Sequence, residues 1–299
     1  MTRLRFPVAA LATLLLLGAS GITRLESQAA SRGHLLIVGG GEQSDDLVRR
    51  FIDLAGGAGK ARIAVVPMAS EEAQASGDEK ADQLREFGAE AVVLNLTRAE
   101  AEDPATSARF DGITGVWFTG GDQARLAPLL YDTPALAAIQ RRFRDGAVIG
   151  GTSAGAAIMS DSMLTGNQRR PDSLGYYGDD YPAISRGTIE VVRGLGFLHG
   201  AIVDQHFIRR ERHNRLLSVI LERPSLIGVG IDEGTALEIG GDGKWKVVGS
   251  SAVVIYDARA ARVTRAGAPL LGASGIRMQI LPSGSSYDPR TGRAVLASE

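Results

Sequence analysis

Short apolar runs alternate with helical segments through the first half of the chain. The apolar runs are His34 to Gly41, Arg62 to Met68, Ala91 to Leu96, Asp111 to Gly121 and a fifth that begins at Ala147. Helical segments lie among them, at Asp45 to Ala55, in the polar stretch that ends at Phe87, and at Thr133 to Arg144. Continuous apolar strands that alternate with helices are typical of a parallel sheet covered on both faces. We therefore predict an α/β fold with a mostly parallel, doubly wound sheet and helices on both faces.

The second half of the chain adds strands of another kind. Ala201 to Asp204 and Ile227 to Ile231 are apolar strands, and Arg209 to Leu221 has helical spacing between them. After Ala236 the runs become short and β-like, and we predict antiparallel strands that extend or flank the main sheet. Residues 30–299 are thus predicted to form one α/β catalytic domain with a β-rich extension over about 236–299.

The first 29 residues differ from the rest of the chain. Arg3 and Arg5 precede an apolar run from Val8 to Ala19, and small residues follow it. A basic head, a short apolar stretch and small-residue exits predict a secretory signal peptide at 1–29, and hence a secreted or periplasmic protein without membrane attachment after its removal. The remaining chain holds 30 basic and 33 acidic residues, a net charge of −3 that argues against nucleic-acid binding. The 299-residue chain contains no cysteine, which excludes disulfides and a thiol nucleophile.

The strand from Ala147 leads into the pattern G-x-S-x-G at Gly151 to Gly155. In a nucleophile elbow this spacing is a steric requirement, because a turn sharp enough to expose one hydroxyl brings its neighbours into contact. We therefore predict that Ser153 is a nucleophile at the carboxyl end of the strand. The amide of Ala154 then opens a helix and faces the oxyanion of an attacked carbonyl. The amides of Gly120 and Gly121, at the end of the neighbouring strand, are the second predicted oxyanion donors.

A serine nucleophile requires a base, and the chain has four histidines. His34 and His199 lie at the amino ends of their strands, and His213 falls within a helix, where it is most simply solvent-facing. His206 directly follows a predicted strand, so we expect it on the same sheet edge as Ser153. Elimination therefore favours His206 as the base.

The acid that orients the base is expected at another strand end. Asp232 and Glu233 close the strand Ile227 to Ile231, and Glu233 is the first choice, with Asp232 second. Asp204 is an alternative, although it lies only two residues before His206. The order Ser, His, acid differs from the α/β-hydrolase order of Ser, acid, His, which argues against a lipase or esterase.

The sequence gives only weak signals for a dinucleotide site and for a metal site. Gly39, Gly40 and Gly41 follow the first strand, but the full G-x-G-x-x-G pattern of a dinucleotide site is missing. Thr165 to Arg186 is rich in Gly, Asp and Tyr, and we interpret it as a surface loop beside the serine, without the ligand spacing of a metal site. Hydrolysis by a serine needs no metal or organic cofactor, so we expect resistance to chelators.

Several arginines follow the predicted base within two helical turns. They are Arg209, Arg210, Arg212 and Arg215. Because arginine binds carboxylates through two parallel hydrogen bonds, this segment favours an acidic substrate.

Four motifs, taken together, resemble the cyanophycinase family of serine peptidases related to dipeptidase E. They are GGTSAGA (Gly150 to Ala156), TGGDQ (Thr119 to Gln123), DQHF followed by R-x-R-x-x-R-L (Asp204 to Leu216), and IDEGTA (Ile231 to Ala236). The resemblance implies a fold like that of class I glutamine amidotransferases, with serine in place of their cysteine, and a homodimer. It implies the same three residues as nucleophile, base and acid, namely Ser153, His206 and Glu233. It also implies substrate contacts from Gln123, Asp204, Gln205, Arg210, Arg212 and Arg215.

The substrate that the resemblance implies is cyanophycin, a polyaspartate whose side-chain carboxyls each carry an arginine, released as β-Asp-Arg dipeptides. The arginines of the chain would bind aspartyl carboxylates, and Asp204 or an acid of the 165–186 loop would bind the substrate guanidinium. Two rivals remain at this point: a peptidase for other aspartyl or isoaspartyl peptides, and an exported binder of acidic peptides without catalysis.

Overall fold

Five parallel strands form one side of a nine-stranded central sheet. The computed structural model describes residues 33–169, 181–264 and 267–297, so the predicted signal peptide lies outside the described residues. The five strands are β1 (His34–Val38), β2 (Arg62–Val66), β3 (Glu90–Val93), β4 (Gly115–Phe118) and β5 (Val148–Thr152). They lie in the order β3-β2-β4-β5-β1, each parallel to its neighbour. The predicted mostly parallel sheet is confirmed.

Helices cover both faces of this sheet, as predicted. They are α1 (Asp45–Leu54), α2 (Ala73–Glu86), α3 (Arg98–Glu102), α4 (Gln123–Leu130), α5 (Pro134–Arg144), α6 (Ala154–Ala157) and α7 (His213–Glu222). Successive side chains of a strand point to opposite faces. Accordingly, Leu36 of β1 joins a core with α1 and α2, whereas Leu35 joins a core with α4, α5 and α6. Among the described residues, no helix is long and apolar enough to cross a membrane.

The later strands belong to the central sheet, to a second sheet of four strands and to two separate two-stranded sheets. They are β6 (Ser162–Gln168), β7 (Ile189–Arg193), β8 (Ala201–Gln205), β9 (Ile227–Ile231), β10 (Thr235–Ile239), β11 (Trp245–Gly249), β12 (Ala252–Asp257), β13 (Arg262–Val263), β14 (Ala273–Ser274), β15 (Arg277–Pro282), β16 (Ser286–Asp288) and β17 (Arg293–Val295). Strands β10, β11, β16 and β17 extend the central sheet with antiparallel pairings, which confirms the predicted extension. Strands β6 and β7 form one separate hairpin, and β13 and β14 another.

The second sheet has four strands in the order β15-β12-β9-β8. Its inner face, with Val203 and Val229, joins the same core as α4 to α6, and α7 covers its outer face through Leu216 and Ile220. The expectation that His206 and Ser153 share one sheet edge is therefore wrong, because β8 pairs with β9 and not with the central sheet. An apolar strand reveals that it is buried, but its sequence does not identify its pairing partner.

Two predicted boundaries also differ. The predicted loop over Thr165 to Arg186 begins inside a strand, since β6 continues to Gln168 and pairs with β7; residues 170–180 of that loop lie outside the described residues. The helix predicted from Arg209 begins at His213, because a turn over residues 207–212 comes first.

Candidate active site

Ser153 occupies a sharp turn between β5 and α6. Its φ of 54° and ψ of −110° lie outside the regions that most residues adopt, as in the strained turn of a nucleophile elbow. A Cβ atom on Gly151 would come within 2.7 Å of the Gly155 carbonyl oxygen, and one on Gly155 would meet the Phe118 carbonyl. Both positions therefore require glycine. Helix α6 has only one turn, so its dipole is small and the nearby amides matter more than the helix as a whole.

His206 reaches Ser153 from the end of β8 in the second sheet. The Ser153 hydroxyl and His206 Nε2 are 2.8 Å apart, a hydrogen-bond distance. The His206 amide donates to the Gly39 carbonyl at 2.6 Å, which ties the end of β8 to the end of β1. The imidazole lies against Gly40, where an added Cβ would be 2.5 Å from Nε2. The glycine run after β1 thus provides space for the imidazole, a role that the sequence did not indicate.

Glu233 lies on the other side of the same imidazole. Its Oε1 is 2.6 Å from His206 Nδ1, so the carboxylate accepts from Nδ1–H and leaves Nε2 free to accept from the serine hydroxyl. Glu233 belongs to the turn that leads from β9 in the second sheet to β10 in the central sheet. The three side chains therefore meet where the two sheets join.

Asp232, the second choice for the orienting acid, has a different place. Its Oδ1 accepts from the amides of Ile208 and Arg209, and its Oδ2 accepts from the Ser251 hydroxyl. The carboxylate is buried and stabilises the turn that follows His206. Asp232 therefore has a structural role in this loop, and Glu233 is the acid that contacts the imidazole.

Burial and nearby positive charge favour the neutral form of the His206 imidazole. Burial is the largest cause that lowers the pKa of His206 below its ordinary value, and the Arg210 and Arg212 guanidinium groups act in the same direction. The hydrogen bond to Glu233 raises this pKa but does not reverse the net shift. Because a neutral imidazole is the form that accepts a proton, the environment favours general-base chemistry near neutral pH.

Backbone amides of the kind expected for an oxyanion lie beside Ser153. A Cβ on Gly120 would be 3.5 Å from the Ser153 Cβ, so this glycine lies directly against the serine. Within the described backbone, the amides of Gly120 and Gly121 donate no hydrogen bond. Ala154 is the first residue of α6, where an amide has no acceptor within the helix.

The residues that the resemblance implies as substrate contacts differ in burial and in hydrogen bonding. Asp204 and Arg215 are both buried and form a two-point ion pair, and Asp204 also accepts from the Gln205 amide. Arg212 donates to the main-chain and side-chain oxygens of Gln205. These four side chains are thus bonded to one another, and Asp204 is occupied before any substrate guanidinium arrives.

Gln123 and Arg210 differ from that group. Gln123 is buried, and its Nε2 donates to the Leu164 carbonyl at 2.9 Å, which attaches α4 to β6. Arg210 is exposed, and among the described residues its side chain forms no hydrogen bond or ion pair. Arg210 is therefore the member of the set whose guanidinium remains open to an incoming carboxylate.

The other histidines lie away from the serine. His199 pairs with Asp161. His213 is half-buried, and its Nδ1 is 2.7 Å from the Tyr256 hydroxyl, so the expectation that it faces solvent is wrong. Within the described ranges, no group of three or more His, Cys, Asp or Glu residues is placed to hold a metal ion.

The fold and the Ser–His–Glu geometry define a serine peptidase of the α/β class. Residues 35–247 match the model of peptidase family S51, and this chain belongs to that family. It is a cyanophycinase-like serine peptidase, as the sequence motifs predicted.

Curated relatives cover nearly the whole chain. The cyanophycinase of Geminocystis herdmanii is 35% identical over 270 residues, which cover 87% of this chain and 95% of the relative. The cyanophycinase of a Nostoc species is 34% identical over 270 residues, or 86% of each chain. Among solved structures, a peptidase from an acI-B1 actinobacterium shares the fold, with a TM-score of 0.62, 23% identity, and coverage of 88% of this chain and 99% of that one.

Proposed function

We propose that this protein hydrolyses cyanophycin to β-Asp-Arg dipeptides by way of an acyl-enzyme at Ser153. The observation that carries the proposal is the continuous chain of hydrogen bonds from Ser153 through His206 to Glu233, with distances of 2.8 and 2.6 Å. The curated relatives, which are named cyanophycinases, support the choice of substrate.

Acylation begins with attack of Ser153 Oγ on an aspartyl carbonyl carbon. The hydroxyl proton passes to His206 Nε2, and Glu233 stabilises the imidazolium that forms. The amides of Gly120, Gly121 and Ala154 are the proposed donors to the oxyanion, a contribution of about 10²–10³-fold in kcat for one such donor. The carbon–nitrogen bond then breaks, and the imidazolium gives its proton to the leaving amine.

Deacylation repeats the sequence with water as the nucleophile. His206 Nε2 takes a proton from the water as its oxygen attacks the ester carbonyl. The ester bond to Ser153 then breaks, and the serine oxygen recovers the proton from the imidazolium. The lowered pKa of His206 keeps the base available for both half-reactions.

The exposed Arg210 is the proposed contact for a free carboxylate of the substrate. The buried Asp204–Arg215 pair and the Arg212–Gln205 contact position the segment that carries it. A free guanidinium held in this position would bind an acidic peptide more tightly than a neutral one.

We also propose that the enzyme acts outside the cytoplasm and as a homodimer. Export is supported by the basic head and apolar run within residues 1–29. The dimer rests on the family resemblance. Polymer released by other cells would then be the natural substrate.

Incubation of the purified protein with insoluble cyanophycin, followed by mass analysis of the soluble products, tests the activity. We expect β-Asp-Arg as the main product and a loss of at least about 10⁴-fold in rate for Ser153→Ala, as for other serine nucleophiles. Unchanged release by Ser153→Ala would remove the catalytic assignment. Tight binding of the polymer without hydrolysis by either protein would indicate the non-catalytic binder instead.

A further inference from the structure

A pocket opens beside the turn that carries the nucleophile, on the opposite face of the central sheet from α6. It has a volume of about 400 Å³, within the range of small-molecule sites. The loop after β1, the middle of α2 and the carboxyl ends of β4 and β5 line it. Gly120 and Thr152 are part of this lining, so the pocket begins one residue from Ser153. Gly120 also lies against Ser153, so the pocket and the nucleophile share this glycine as a neighbour.

Lys80 brings a positive charge into the pocket from α2. Its Nζ donates to Gln43 Oε1 at 2.7 Å and to Gln83 Oε1 at 2.5 Å, and it lies 4.8 Å from the centre of the Trp117 ring. An ammonium group has three N–H donors, so one remains for a ligand. Gln43 in turn donates to the Thr152 hydroxyl at 3.3 Å, which connects this lysine to the residue before Ser153.

The indole side chain of Trp117 forms part of the wall of the pocket. Trp117 is only 3% exposed. Its Nε1 has no hydrogen-bond partner among the described residues. The indole N–H is thus a buried donor without an acceptor in a residue of the pocket wall.

Carboxylates surround the mouth of the same pocket. Glu42, Asp45 and Glu79 line it and are exposed, and none of them forms a salt bridge within the part of the chain that the structure describes. The pocket therefore combines an ammonium group inside with three negative charges around it. This arrangement is complementary to a ligand that carries both a carboxylate and a cation.

We propose that this pocket binds one arginyl group of the substrate, with Lys80 on its α-carboxylate and the acidic residues at the mouth on its guanidinium. In a β-Asp-Arg unit the arginine is joined through its α-amino group, so its α-carboxylate and guanidinium are both free. Asp204 is already paired with Arg215, and the guanidinium therefore requires another acidic partner. The inference rests on the proposed function for its ligand, but the pocket is distinct from the Arg210 segment.

Titration of the Ser153→Ala protein with three dipeptides tests the pocket without hydrolysis. The probes are β-Asp-Arg, β-Asp-agmatine, which lacks the α-carboxylate, and β-Asp-citrulline, which replaces the guanidinium with a neutral urea. We expect the loss of the α-carboxylate and the loss of the guanidinium charge each to weaken binding by at least about tenfold, the scale of one charged hydrogen bond. Lys80→Met, added to Ser153→Ala, should abolish the preference for β-Asp-Arg over β-Asp-agmatine and retain the preference over β-Asp-citrulline.

Matched variants complete the test. Glu42→Gln combined with Glu79→Gln should abolish the preference for β-Asp-Arg over β-Asp-citrulline. Lys60→Met, at an exposed lysine outside the pocket, should change neither of the two ratios of binding constants, β-Asp-Arg to β-Asp-agmatine and β-Asp-Arg to β-Asp-citrulline. Ratios within one protein do not depend on the fraction that is folded. A carboxylate preference that survives Lys80→Met overturns the proposal, whereas absence of cyanophycin hydrolysis by the wild type counts against the proposed function alone.

Discussion

At the scale of single residues, the space left by a missing side chain is as important as the groups that react. The His206 imidazole rests where a Cβ on Gly40 would be, and the left-handed φ of 112° at Gly40 turns the chain away from it. The sequence predicted Ser153 from the elbow spacing, His206 by elimination among four histidines, and Glu233 from its place at a strand end. It did not reveal Gly40, because three consecutive glycines first suggest a nucleotide loop.

Gly40→Ala is expected to lose activity well beyond what the strain of alanine at a left-handed position, about 1–3 kcal/mol of stability, explains. The added methyl would displace the imidazole from Ser153, and misplacement of a reacting group by about 1 Å costs about 10²-fold in rate. Measurement of kcat and of urea unfolding for the same samples would separate the two effects.

Gly57→Ala is the matched control for backbone strain. Gly57 also has a left-handed φ, of 89°, but nothing lies within 4 Å of an added Cβ. This variant should lose about 1–3 kcal/mol of stability from strain and keep the wild-type kcat. Equal kcat values for the two variants would contradict the role that we give to Gly40.

At the scale of elements, the turn between β8 and α7 carries both the base and the charge that tunes it. The turn is fixed by Asp232, which accepts from two of its amides. Helical periodicity predicted α7 but placed its start at Arg209 instead of His213. The apolar spacing continues through residues 207–212, which form a turn that the buried Asp232 carboxylate stabilises. The tuning of the base therefore depends on tertiary contacts that the local sequence does not show.

Arg210→Gln should move the acidic limb of the pH profile to higher pH. The positive charge of Arg210 lowers the pKa of His206, so its removal lets that pKa rise. A smaller fraction of the imidazole is then neutral at a given acidic pH, and kcat/KM falls sooner as the pH decreases. The pH dependence of kcat/KM checks this.

Arg209→Gln is the control for the loss of one charge from the same turn. Arg209 is exposed like its neighbour but is not among the causes of the His206 shift. Its profile should match the wild type. An unshifted limb in Arg210→Gln would show that the guanidinium does not act on the imidazole.

At the scale of the whole molecule, the catalytic residues depend on how two sheets fit together. Sequence patterns predicted the parallel sheet, the helices on both faces and the antiparallel extension. They did not predict the separate four-stranded sheet, because β8 and β9 are apolar like the central strands and strand pairing is decided between segments far apart in the chain. The sequence also did not show that Asp204, a substrate contact by family resemblance, forms an ion pair with Arg215 of α7.

Asp204→Asn should destabilise the whole fold by about 3–5 kcal/mol, since it leaves the Arg215 guanidinium buried without its charge partner. Urea unfolding measures this loss, and Glu72→Gln, at an exposed residue without a capping hydrogen bond, is the neutral control. Unchanged stability with a raised KM would instead assign Asp204 to substrate binding.

The turn that carries Glu233 is also one of the short connections between the two sheets, since it leads from β9 to β10. Ser153 follows a strand of the central sheet, whereas His206 and Glu233 follow strands of the second sheet, so a small displacement between the sheets would change the distance from the imidazole to the serine oxygen. We therefore expect volume-changing substitutions in the interior between the sheets to lower turnover although they touch no group in the cleft.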